Sequence, residues 1–218
     1  LFDENQNVSE FNFEFKSAYI ALILFSSGTS GKPKAIPLSF INIIENINSF
    51  SERLNLSNNN IFLCGSPLWH AHGLYNSFFT ALFLNASVIY SGQISLFNIS
   101  KLFNSVQSNS NCIFHITPSM IPISLSYLKI ASDSCFIPNF KKVICGTSFL
   151  NSKTKKDFET NFSVEIFQQY GMTETLFMTI NNKFNITKPD SVGTPLKNVK
   201  IEIWSKSEKL KKGNIGSI

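Results

Sequence analysis

Apolar residues along the chain fall into short continuous runs and into helical spacing, and the two patterns alternate. Residues 18–25 form an apolar run of strand length, too short to cross a bilayer, and predict a buried strand. Ser39 stands before Phe40, Ile41, Ile44 and Ile47, which puts apolar positions on one helical face with Ser39 as the N-cap. Further strands are predicted at 61–64, 87–90, 112–116, 142–145 and 164–168, the last running on to Tyr170. Helices are predicted at 78–84, from Pro118 into the stretch around Met120, and at 152–161 as a charged surface helix. The Asn-rich stretches 58–60 and 104–111 read as loops. Alternating strands and helices without an internal repeat predict an α/β architecture. Such folds place ligands outside the carboxyl ends of their strands.

The first apolar run ends in Ser26, Ser27, Gly28, Thr29, Ser30, Gly31, Lys32, Pro33 and Lys34. Glycine lets the backbone turn sharply and come close to an anion, and the hydroxyls are donors. Lys32 and Lys34 add positive charge, so the loop suits a polyphosphate. It is not the P-loop of nucleoside triphosphatases. Only Thr29 and Ser30 separate Gly28 from Gly31, and Pro33 follows Lys32 where a P-loop has the Ser or Thr that holds Mg²⁺. Pro33 also disfavours helix at Lys32. A Mg²⁺ ion bound with the phosphates needs its protein ligand elsewhere.

This loop resembles the phosphate-binding signature of the adenylate-forming superfamily: acyl-CoA synthetases, firefly luciferases and the adenylation domains of peptide synthetases. Five further segments resemble that family's landmarks in the family's order. Pro67, His70 and Gly73 are similar to its Pro-x-x-His-x-x-Gly segment, and Cys145, Gly146, Thr147 and Ser148 to its Gly-Gly-Ala adenine loop. Tyr170, Gly171, Met172, Thr173 and Glu174 look like its Tyr-Gly-x-Thr-Glu signature, and 191–196 and 213–218 like its next two landmarks. The resemblance implies an α/β fold that is part of the large N-terminal AMP-binding domain, mixed sheets packed with helices in layers, over 1–218. It implies ATP-dependent activation of a carboxylic acid to an acyl-adenylate, then thioester formation with coenzyme A, by an acid–thiol ligase.

ATP, Mg²⁺ and coenzyme A are the implied cofactors. By the same resemblance Ser26, Ser27, Gly28, Thr29, Ser30, Gly31 and Lys34 hold phosphate, and Thr173 hydrogen-bonds the phosphate of the adenylate. Glu174 ligates Mg²⁺, which takes hard oxygen donors that the phosphate loop lacks. Tyr170 stacks on adenine with Gln169 and Gly171 beside it, Gly146 and Thr147 line the other face of the base, and His70 lies near the substrate carboxylate. Two other readings remain: a carrier-protein-loading adenylation domain, and a non-catalytic nucleotide-binding homologue. Ala35 and Cys145-Gly146-Thr147 depart from the family's pattern. The family's Tyr-x-Thr-Gly-Asp segment, its hinge and its small C-terminal domain with the adenylation lysine do not occur in these residues. Residues 1–218 are therefore expected not to turn over alone.

Composition narrows the partners. A chain of 218 residues with 43% hydrophobic content buries one core, as a domain or part of one. The net charge of +5 comes from thinly spread lysines, which predicts solvated surface rather than a nucleic-acid face. The four cysteines show no C-x-x-C pairing, which fits a reducing compartment better than a disulfide framework. His70 and His72 have no Cys, Asp or Glu close in sequence to complete a zinc shell, and His115 reads as a core histidine with its hydrogen bonds satisfied. The residues after Tyr170 look most like the branch of malonyl- and oxalyl-CoA synthetases. A dicarboxylate, however, needs a cation for its second carboxylate. Arg53 is the only arginine and lies between helix and loop, away from any expected pocket. An apolar acyl pocket built from 78–84 and 120–125 is the other expectation.

Overall fold

A computed structural model describes residues 16, 18–26, 32–107, 109–130, 136–181, 190–211 and 213–217. The chain opens on an antiparallel pair, β1 (Ile20–Ser26) and β2 (Lys34–Ser39), and runs directly into α1 (Phe40–Leu54). Leaving the phosphate loop as a strand is what Pro33 favours. Ser39 caps α1 as predicted: its hydroxyl accepts from the Asn42 N–H, and the Asn42 side chain accepts from the Ser39 N–H.

The chain continues through β3 (Ile61–Cys64), a π-helical segment His72–Phe79 that passes into α2 (Thr80–Phe83), β4 (Ser87–Tyr90), α3 (Ile99–Asn104), β5 (Cys112–Ile116) and α4 (Met120–Ile130). After these come β6 (Phe140–Cys145), α5 (Ser152–Phe162), β7 (Ile166–Met172), β8 (Leu176–Ile180) and β9 (Thr194–Pro195). A small hairpin of β10 (Trp204–Ser205) and β11 (Glu208–Lys209) follows.

Strands β3 to β9 form one sheet in the order β4-β3-β5-β6-β7-β8-β9. Pairings from β4 to β7 are parallel, and β8 and β9 run antiparallel. Alternate residues of the parallel strands serve opposite faces. Leu63, Phe114 and Val143 pack with Phe103 of α3, Ile121 of α4 and Phe158 of α5. Phe62, Ile113 and Ile144 pack with Ile47 and Phe50 of α1 and with Leu24 and Leu38 of the hairpin. The result is three layers with the sheet in the middle. Every residue of β5 is buried, as a continuous apolar run predicts for a parallel strand covered on both faces.

Two expectations need correction. The run at 18–25 is not a buried strand of the main sheet: Leu24 packs inward, while Ile23 is 52% and Phe25 71% exposed on the hairpin's outer face. An apolar run announces two faces to be covered but not what covers them, and α1 covers one. The helix expected at 78–84 begins earlier, as the π-helical segment from His72. Its polar Asn76 and Ser77 and its Gly73 disguise it as loop. Neither α3 nor β8 was predicted.

Candidate active site

Strands β3, β5, β6 and β7 are neighbours and parallel, so the loops leaving their carboxyl ends crowd one end of the sheet. Those loops carry His70, Thr117, Thr147 and Thr173. Two cavities open there. The smaller, about 190 Å³, has His70, His72, Asn76, Thr147, Gln169, Gly171 and Thr173 in its lining. The larger, about 650 Å³, is lined by Ser66, Trp69, Gln93, Thr117, Ser119, Met120 and Ile123 among others. His70, His72 and Thr147 belong to both, so they form the wall between them.

The structure thus brings together His70, Thr147, Gln169, Gly171 and Thr173. Ser26 closes β1 and Lys34 opens β2 as register partners, so the two ends of the expected phosphate loop stand side by side. Ser27, Gly28, Thr29, Ser30 and Gly31 lie outside the described residues. Gly146 packs beneath this site against the Gln169 side chain, and Tyr170, half-buried, lines neither cavity. Glu174 is separated from Thr173. Both stand in the turn between β7 and β8, but Glu174 is exposed and lines a different hollow, between that turn and α1. The segment is a hairpin turn rather than a helix start. Of the residues expected to build an acyl pocket, Met120 and Ile123 reach the larger cavity, and none of 78–84 lines either one.

The polar wall between the cavities is held from behind. Ser66 Oγ lies 2.8 Å from His72 Nδ1, and the Ile116 carbonyl also bonds the His72 side chain. The His72 amide donates to His70 Nδ1 at 3.4 Å, which leaves Nε2 of His70 to carry its proton. Thr147 is held at φ +79, a left-handed conformation that a β-branched residue adopts only under constraint. Strain of that kind concentrates where a loop must present its backbone to a ligand.

His115 lies in the core, as expected, but its hydrogen bonds are not satisfied: neither ring nitrogen has a partner among the described residues. It stands edge-on to Phe50, Phe62 and Phe177 on the face of β5 toward α1, beside His72. Burial lowers the His72 pKa to about 4, with the charge of His70 adding to it, and burial holds His115 well below its ordinary range. Both groups bind protons more readily unfolded than folded. Stability is therefore fully present above pH 6.5 and is lost as the pH falls toward 4, by about 3 kcal/mol for His72 alone. Urea midpoints measured between pH 7 and 4.5 are expected to fall with acid, and a flat profile would contradict this burial. Burial pushes the Cys145 thiol up to about 12, so it serves as packing and not as a nucleophile.

Asn46 is the residue that sequence reasoning missed. From α1 its side-chain amide donates to the Phe177 carbonyl at 2.8 Å and accepts from the Phe177 N–H at 3.0 Å, as a neighbouring strand would. The Tyr75 hydroxyl donates to the same Oδ1 at 2.9 Å. Arg53 lines neither cavity: its guanidinium donates to Thr194 Oγ1 and to the Pro195 carbonyl.

A metal ion was tested against the donors present. Among the described residues no three His, Cys, Asp or Glu side chains converge on one point. Glu174 therefore offers a single carboxylate. That suits Mg²⁺, which commonly takes one or two protein carboxylates plus phosphate and water oxygens, and it does not suit a protein-caged ion.

Known proteins match both the sequence and the fold. The chain is 26% identical over 213 residues to a probable CoA ligase of Humulus lupulus, covering 90% of this chain and 35% of that protein. It is 27% identical over 203 residues to the 2-succinylbenzoate–CoA ligase of Bacillus pumilus, covering 91% and 39%. Malonate–CoA ligase ACSF3 of Mus musculus is 24% identical over 197 residues, covering 86% and 34%. The chain thus spans little more than a third of these relatives. The crystal structure of ATP-bound MatB from Rhodopseudomonas palustris shares the fold, with a TM-score of 0.80 at 22% identity over 94% of this chain and 40% of that one. A sequence model of the AMP-binding enzyme family matches residues 3–218, essentially the whole chain. With its motif loops gathered at the carboxyl ends of parallel strands, this chain belongs to the AMP-binding enzyme family.

Proposed function

We propose that the chain is the N-terminal, nucleotide-handling part of an ATP-dependent acid–CoA ligase, which joins a carboxylate to AMP and passes the acyl group to coenzyme A. The observation that carries this reading is the small cavity whose lining joins His70, Thr147 and Thr173, from three loops, with Gly171 of β7. Adenylation brings two anions together, so the site must supply fixed donors and a cation. In this reading Thr173 donates to the phosphate of the adenylate, and His70, with its proton on Nε2, donates to the substrate carboxylate. The loop between Ser26 and Lys34 holds the departing pyrophosphate, and Tyr170 packs against adenine. Glu174 is the residue that would hold Mg²⁺, whose charge offsets that of the phosphates. CoA ligase activity in the relatives named above supports coenzyme A as the acceptor.

The test is acid-dependent ATP–pyrophosphate exchange by the full-length protein across acids from dicarboxylates to long fatty acids, followed by thioester formation on adding coenzyme A. Exchange that requires the acid, with thioester after coenzyme A, is expected. Nucleotide binding without exchange for any acid would leave a non-catalytic homologue instead.

A further inference from the structure

The three histidines of this chain form one cluster. His70 is exposed in the wall between the two cavities, His72 is buried next to it, and the His115 ring centre lies 6.4 Å from that of His72. The direction of the His70 ring rests on one long hydrogen bond, the 3.4 Å contact from the His72 amide to its Nδ1. Its backbone stands at the apex of a turn, donating to the Pro67 carbonyl and accepting from the Gly73 and Leu74 amides. That turn is tightly closed, since a Cβ at Gly73 would overlap the Ser66 and Pro67 carbonyls. Where His70 points therefore follows where residues 66–73 lie as one body.

His72 anchors that body. Its Nδ1 lies 2.8 Å from the Ser66 hydroxyl, and its ring also bonds the Ile116 carbonyl. A carbonyl only accepts, so the neutral ring points its single N–H there and accepts from Ser66 at Nδ1. The same Ile116 carbonyl accepts from the Gly146 amide at 3.3 Å, one residue before Thr147. Ser66 follows β3, Ile116 ends β5 and Gly146 follows β6, so one buried ring joins the ends of three neighbouring parallel strands. The His70 turn and the Thr147 loop thus hang from one carbonyl.

We propose, resting on the acid-activating reading above, that His72 is a positioning residue. Through Ser66 and the Ile116 carbonyl its ring sets the His70 turn against the Thr147 loop, and so sets the geometry in which His70 meets the carboxylate of the acid. It acts through His70 and not on the acid itself.

The experiment measures acid-dependent ATP–pyrophosphate exchange by the full-length protein, with the acid that wild type exchanges fastest, well below the unfolding midpoint of each variant. His72→Phe keeps a flat ring and loses both hydrogen bonds. Its kcat is expected to fall by about ten- to a hundredfold, as a displaced donor implies, with the KM for ATP unchanged. His72→Gln can still donate and accept, and is expected to recover most of that kcat. Ser66→Ala removes one of the same bonds, so the double variant Ser66→Ala/His72→Phe is expected to match His72→Phe alone. If the phenylalanine variant does not fold, Ser66→Ala with a lowered kcat, restored in Ser66→Thr, carries the same comparison. An unchanged kcat in folded His72→Phe, a raised KM for ATP alone, equal losses in His72→Gln and His72→Phe, or losses that multiply in the double variant would each overturn the assignment. For the alternative pair, an unchanged kcat in Ser66→Ala would do the same. Wild-type protein without exchange for any acid would overturn the acid-activating reading itself, and this inference with it.

Discussion

Glu174→Ala in the full-length protein is expected to lower acid-dependent exchange by about a hundredfold or more, with the unfolding free energy moving by less than about 0.5 kcal/mol. The two halves of that expectation come from one placement. Glu174 is exposed in the turn between β7 and β8, and no hydrogen bond or ion pair ties it to another described residue, so the fold loses little with it. It is also the only carboxylate in that turn, and the phosphate loop between Ser26 and Lys34 contains none. Removing it leaves Mg²⁺ to the phosphates and water alone. Raising the Mg²⁺ concentration is expected to restore part of the exchange in Glu174→Gln. Wild-type exchange in the alanine variant would move the metal site elsewhere.

A large stability effect is expected at the other end of the same signature. Gly171→Ala would drive a Cβ into the Leu176 carbonyl oxygen, with the Leu176 carbonyl carbon 3.0 Å and the Phe177 Cα 3.3 Å away. All three are backbone, so no side chain can swing aside. The ladder between β7 and β8 is already irregular between Tyr170 and Gly171, and Leu176 is held at φ +57. A ladder irregularity and a left-handed residue thus flank one tight turn, and only a hydrogen at 171 fits between the strands. A loss of about 3 kcal/mol is expected, read as a shift of the denaturant midpoint. Gly146→Ala is milder in kind: it meets the Gln169 side chain, which has χ angles to give. An unshifted midpoint for Gly171→Ala would mean that the two strands do not approach as described.

Much of this was legible in the sequence because parallel strands covered on both faces write themselves as continuous apolar runs. Cys112–Ile116 is the clearest case, predicted at 112–116 and wholly buried. The same rule misled at 18–25, where an equally apolar run has only one face covered. Ser39 announced α1 because a cap is local chemistry; α3 has no side-chain cap, and nothing local announced it. At the site, the motifs predicted that loops after β3, β6 and β7 carry the chemistry, and those loops do meet. What they could not give is the direction of each side chain. That Gln169 and Tyr170 part company, that Glu174 turns toward α1, and that His115 keeps unpaired nitrogens among phenylalanines all follow from contacts far apart in sequence.

Asn46 ties that long-range order to the hairpin. It lies two helical turns beyond Ser39, and Ser39 ends the strand that leads back to the phosphate loop. Its bonds to Phe177 and Tyr75 fasten α1 to the strand after the Thr173 turn and to the segment after His70. Helix geometry turns ~100° per residue, so the seven-residue spacing from Ser39 to Asn46 fixes the angle at which these pieces meet. The strand that ends at Ser39, the segment after His70 and the strand after Thr173 are thereby set relative to each other. Less freedom is then left to lose on binding. The length of α1 acts as a gauge block for the site, a constraint that belongs to no motif.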